Sequence, residues 1–91
     1  MTMIKTLIFH ADPSHGWLEV DRADLEALNI ASRISRYSYQ KENRVFLEED
    51  CDAAHYLRAA EGRGWTVTTT EKHTNHDSFI RNLNRFEWGF K

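Results

Sequence analysis

Two runs of strand-forming residues, Met3–His10 and Trp17–Val20, stand on either side of Ala11-Asp12-Pro13-Ser14, a cluster that favours a turn. The spacing brings the two runs close enough to pair as a hairpin, so the chain opens with β structure. Asp21 is a good helix N-cap. Counted from it, Val20 and Leu25 occupy the two positions of a hydrophobic staple, which predicts a short helix over Arg22–Leu28 with Leu25 and Leu28 on its buried side. Asn29 suits the left-handed conformation that ends a helix, with Ile30 packing back.

A second hairpin is predicted further on. Tyr37 and Tyr39 lie two apart and share one strand face, Lys41-Glu42-Asn43 is a polar turn, and Arg44–Leu47 returns. Asp50 is placed to cap a second helix running to Glu61, with Ala53, Ala54, Leu57 and Ala60 as its core stripe and Gly62 and Gly64 ending it. Its acidic first turn and basic last turn follow the order that the helix dipole favours. Trp65–Thr70 alternates as a fifth strand with Trp65 and Val67 inward. The order ββαββαβ predicts an α+β fold: a sheet of about five strands, antiparallel or mixed, with two helices on one face.

One domain is expected over residues 1–91. At 91 residues and 10.7 kDa the chain has room for one core, and folding should bury about two-thirds of its extended surface. With 41% hydrophobic residues it is an ordinary globular composition. Residues 71–91 change character, and two readings stand side by side. Phe79, Leu83, Phe86 and Phe90 fall on one face of a helix that Asp77 would cap, or the segment is an extended arm whose aromatics cover the open sheet face.

Few patterns point to chemistry. His10, Asp12 and His15 place three metal-ligating side chains in six residues at the hairpin tip, with His73, His76 or Asp77 as a further ligand if the C-terminal segment folds over that end. The alternative is that Asp12 bonds local amides in the turn and the histidines are ordinary polar side chains. The cluster His73–Asp77, beside Lys72 and Arg81, reads as an anion site or a solvated loop. Cys51 is surrounded by Glu48, Glu49, Asp50 and Asp52, which oppose a thiolate, and this assigns it to the core. No glycine-rich phosphate loop, nucleophile elbow or paired-cysteine motif occurs, and no cofactor is called for.

Charge is more informative. The net charge of −2 excludes a generally basic nucleic-acid binder, yet residues 1–62 carry seven basic and eleven acidic side chains while residues 63–91 carry five and three. Glu48, Glu49, Asp50 and Asp52 form an acidic knob suited to a basic partner surface. Phe79, Arg81, Arg85, Phe86 and Trp88 combine arginine with aromatics, as protein hot spots and single-strand nucleic-acid platforms do. No apolar run reaches the roughly 18 residues that span a bilayer, and the lone cysteine makes no internal disulfide, so a cytoplasmic setting is expected.

The segments His10-Ala11-Asp12-Pro13-Ser14-His15-Gly16-Trp17-Leu18, Tyr37-Ser38-Tyr39 and Leu47-Glu48-Glu49-Asp50-Cys51-Asp52 together resemble a family of small proteins carried by phages and plasmids, a family with no established activity. The resemblance implies an accessory role and carries over no catalytic residue. The expectation is therefore a non-enzymatic module that binds and modulates a host or defence protein in the host cytoplasm, with a homodimer compatible with it. Nucleic-acid binding by the C-terminal segment and a metal-dependent hydrolase or metal-binding protein at His10, Asp12 and His15 are the alternatives.

Overall fold

The computed structural model describes residues 3–88. The chain forms β1 (Ile4–Ala11), β2 (Gly16–Asp21), α1 (Arg22–Ala27), a 3-10 turn at Ala31–Arg33, β3 (Tyr39–Lys41), β4 (Arg44–Glu48), α2 (Asp52–Gly62) and β5 (Thr66–His73). A second 3-10 turn, Phe79–Asn82, and β6 (Asn84–Arg85) complete it. One mixed sheet results, in the order β5-β1-β2-β4-β3-β6, with β1 and β5 parallel and every other pair antiparallel. The α+β architecture with two helices is as expected, and the sheet has six strands. The added strand comes from the C-terminal segment, where only two residues pair with β3, too few for a periodic signal.

Both predicted hairpins form. Asp12 shapes the first turn by accepting hydrogen bonds from the Ser14 and His15 amides, both at 3.0 Å, while its own N–H donates to the His15 carbonyl at 2.9 Å. Gly16 then lies under the Phe9 ring, and a Cβ there would fall 2.4 Å from Phe9 Cζ. In the second hairpin Glu42 takes the positive φ of 55° that lets two residues reverse the chain.

The helices pack on one side of the sheet. Leu18, Val20, Val45 and Leu47 from the central strands meet Leu25 and Leu28 of α1 and Ala53, Tyr56 and Ala60 of α2 in a single cluster. A fully buried aliphatic side chain contributes roughly 1.5–3 kcal/mol, so this side carries most of the hydrophobic stabilisation. Val20 and Leu25 are both buried as a staple requires, and Asn29 ends the helix at φ 60° with the Ile30 N–H donating to the Leu25 carbonyl. Asp21 occupies the N-cap position without a side-chain cap bond, because its carboxylate pairs with Arg44 instead.

Helix α2 is turned relative to the expected stripe. Its buried residues are Asp52, Ala53, Tyr56 and Ala60, and Leu57 is 40% exposed. The reason is polar: each of the two unexpected inward residues has a waiting partner. The Tyr56 hydroxyl donates to Asp24 Oδ2 at 3.1 Å, and Lys5 Nζ sits 3.0 Å from that same oxygen. Burial and the Asp24 charge both push the tyrosine pKa up, so the hydroxyl stays a donor. Asp52 Oδ2 accepts from the Ser35 amide at 2.9 Å and from the Ser35 and Ser38 hydroxyls, each at 2.6 Å. This pins the loop before β3 to the start of α2. It also explains why Tyr37 and Tyr39 do not share a strand face: Tyr37 lies in the pinned turn and is exposed, and β3 begins at Tyr39. The N-cap of α2 is Cys51, with Asp50 in the preceding turn, and Cys51 is exposed where the sequence placed it in the core.

The opposite side of the sheet has a smaller cluster, Trp17, Tyr39, Phe46 and Ile80, with Leu83 packed against it. It is covered by the C-terminal segment, which is an arm and not the helix that Asp77 was expected to cap. Ser78 caps the Phe79–Asn82 turn by accepting from the Ile80 N–H at 3.2 Å. Ile80 is the residue that plugs the cluster, while Phe90 of the expected helical face lies outside the described residues.

Candidate interaction surface

Three of the side chains that looked chemical in the sequence, His10, Asp12 and Arg81, are already engaged within the fold. The Asp12 carboxylate, with no exposed side-chain surface, accepts from Arg81 Nε at 2.7 Å and from Arg81 Nη2 and the Ser78 amide at 3.0 Å each, besides the Ser14 and His15 amides. The Arg81 guanidinium, then the backbone amides, hold its pKa far below the usual carboxylate range despite burial. Arg81 also lies over the Trp17 ring at 5.3 Å. Asp12 and Arg81 thus fasten the arm to the hairpin tip, which leaves neither free for a partner.

His10 Nε2 donates to Glu19 Oε1 at 2.7 Å, and its ring meets Phe46 and Phe79 edge-on at centroid distances of 5.7 and 5.6 Å. Glu19 also takes Arg44 Nε at 2.8 Å; although burial opposes its ionisation, the His10 and Arg44 hydrogen bonds keep its pKa low. His15 is exposed against Trp17. The arm does fold over this end, as the metal reading required, and His10, Lys72, His73, Asp77 and Phe79 line a groove of about 310 Å³. Among the described residues, however, no three His, Cys, Asp or Glu side chains form a group that could hold a metal ion.

The acidic segment splits in two. Asp50 is exposed, and Glu48 and Glu49 are half-buried, but Asp52 is buried in the serine network and presents no charge to a partner. The Asp52 charge, and after it Glu48, push the Cys51 thiol pKa up, the direction that acidic neighbours were expected to impose.

The arm splits as well. Phe86 is buried in the helix-side cluster with Arg22 over its ring at 5.3 Å, so it serves the core and not a partner. Phe79 is 52% exposed beside His10, on the opposite side of the sheet. Arg85, on β6, stacks over Tyr39 at 4.7 Å and donates to the Arg36 carbonyl at 3.2 Å, which brings it beside Arg36, to which the sequence assigned no role. Arg36, Tyr37 and Arg85 line a shallow groove, and Tyr37 is 71% exposed. Glu87, 3.9 Å from Arg36, connects that groove to a second one of about 430 Å³ whose wall includes Trp88, 57% exposed. Sequence spacing placed Tyr37 with Tyr39 on a strand face, whereas Arg36, in a serine-rich loop, carried no pattern that marks a surface.

Comparison of the chain with family models, with curated proteins and with solved structures returned no match. Among the described residues, no helix is long and apolar enough to cross a membrane.

Proposed function

We propose that this protein is a non-enzymatic protein-interaction module, an accessory factor of phage or plasmid origin that binds a host or defence protein in the host cytoplasm. One observation carries the reading. Around the β3–β6 edge, Tyr37 stands in solvent beside Arg36 and Arg85, and the exposed Trp88 lines the neighbouring groove with Arg22 and Glu87, while the buried carboxylates Asp12, Asp24 and Asp52 and the half-buried Glu19 each accept hydrogen bonds within the fold. Exposed aromatics next to arginine are the residue types that dominate binding energy at protein interfaces. Glu49 and Asp50 add acidic contacts at the start of α2.

The test is affinity capture from host lysate with the tagged full-length chain, followed by titration calorimetry with the captured protein. A stoichiometric complex that Tyr37→Ala and Trp88→Ala each weaken at least tenfold, roughly 1.4 kcal/mol, is the expected result. Binding to single-stranded nucleic acid that falls steeply from low to moderate salt would replace this reading with the nucleic-acid one. A complex indifferent to both substitutions would overturn the assignment of the surface.

A further inference from the structure

Strand β5 ends the sheet, and its outer edge is bare. All eight of its residues except Val67 are exposed, and among the described residues no element pairs with it on the side away from β1. The direction of its backbone follows from two hydrogen bonds at its ends: Thr66 N–H donates to the Met3 carbonyl at 2.8 Å and Thr74 N–H to the Ala11 carbonyl at 2.9 Å. Even-numbered residues therefore turn their N–H and C=O groups towards β1. Val67, Thr69, Glu71 and His73 turn theirs outwards, over an edge about 26 Å long.

Natural sheets blunt such edges with proline, a bulge or charge on the open strand. This one has neither proline nor a break in its register with β1 from Thr66 to His73, and its only charged pair, Glu71 and Lys72, lies at one end. We infer that β5 pairs antiparallel with β5 of a second copy about a two-fold axis centred on Thr70, making one continuous sheet across a homodimer.

The register follows from the side chains. Outward-facing residues must meet outward-facing residues, so allowed registers differ in steps of two. Centring on Thr70 sets Thr69 opposite Glu71, Val67 opposite His73, Thr68 opposite Lys72, and Thr70 opposite its own copy. No like charges face each other, and about eight main-chain hydrogen bonds form. The next register towards the C-terminus sets Glu71 against Glu71. The next towards the N-terminus sets the Glu71 carboxylate against Val67, which packs on the core. On the open face, where Thr6 and Thr68 hydroxyls already meet at 3.2 Å, the new pairing extends a band of threonines across both copies. This interface uses none of the residues proposed above for the host protein, so either assignment stands or falls alone.

Sedimentation equilibrium on the full-length chain tests it. Wild type should dimerise reversibly. Thr69→Pro removes an outward N–H and leaves the β1 ladder untouched, so dimerisation should weaken at least about tenfold with an unchanged circular dichroism spectrum. Thr70→Lys and Thr70→Glu each place like charges in the closest cross-strand pair and should each weaken it roughly fivefold, whereas their equimolar mixture should restore a heterodimer. A wild-type monomer at every concentration overturns the proposal. So does a dimer that survives Thr69→Pro, or one lost only on Tyr37→Ala or Trp88→Ala.

Discussion

The two sides of the sheet are completed in different ways. On the helix side, two helices deliver buried, mostly apolar side chains onto four central-strand residues, and the hydrogen bonds of Asp52 and Tyr56 set the rotation of α2. On the opposite side, a short irregular arm brings one plug, Ile80, and depends on a carboxylate 66 and 69 residues earlier in the chain to hold it. A periodic element announces in its own sequence that it packs, even where polar contacts set its rotation, whereas the very placement of an irregular one depends on polar contacts that the local sequence does not announce.

Substitutions on the two sides should behave accordingly. Leu25→Ala, at a fully buried position on the helix side, should cost about 3 kcal/mol and lower the denaturant midpoint of the whole chain in one transition. A separate early transition of α1 would show that this side is less cooperative than its packing implies. Asp12→Ala should cost about 2 kcal/mol, because it strands the Ser14, His15 and Ser78 amides. Its signature is local: hydrogen exchange and proteolysis should rise in residues 74–88 before α1 and α2 are affected. Uniform loss of protection would mean that the arm is not a separate unit.

The same carboxylate sets an acid dependence. Since the folded-state pKa of Asp12 is depressed, its contribution is present above the unfolded value of about 4 and is lost as pH falls below it. Thermal melts between neutral pH and about pH 3 should therefore show a smaller acid-induced drop in Asp12→Asn than in wild type. Equal drops would assign acid sensitivity to other groups. Tyr56→Phe, which removes one hydrogen bond under α2, should cost about 1 kcal/mol by the same melts. Smallest of all, Tyr37→Ala should change stability by less than about 0.5 kcal/mol, since its side chain stands in solvent. A larger loss would make it a structural residue and remove it from the interaction surface.

The legibility of the sequence follows this division. Both hairpins, both helices and the left-handed Asn29 were readable because turn chemistry, staple and strand alternation are local signals. The rotation of α2 was not, because alanine and leucine spacing favoured Leu57 while the buried serine hydroxyls and the Asp24 carboxylate drew Asp52 and Tyr56 inward. Cys51 was misplaced with it. Phe86 and Trp88 look alike in sequence, yet just beyond the edge strand β6 one packs into the helix-side cluster and the other stays in solvent. Asp12 was correctly read as a turn residue, but its second role depends on Arg81, a contact that no short window contains.

The order in which these contacts become available has a consequence for synthesis. On the ribosome the N-terminal strand emerges first, yet its parallel neighbour is made some 62 residues later and the arginine that closes on its turn later still. Until both have been made, β1 has no partner on that edge and nothing covers the Trp17–Phe46 surface. A chain interrupted before β5 and the arm would present unpaired backbone and bare aromatics, the features that chaperones and proteases recognise.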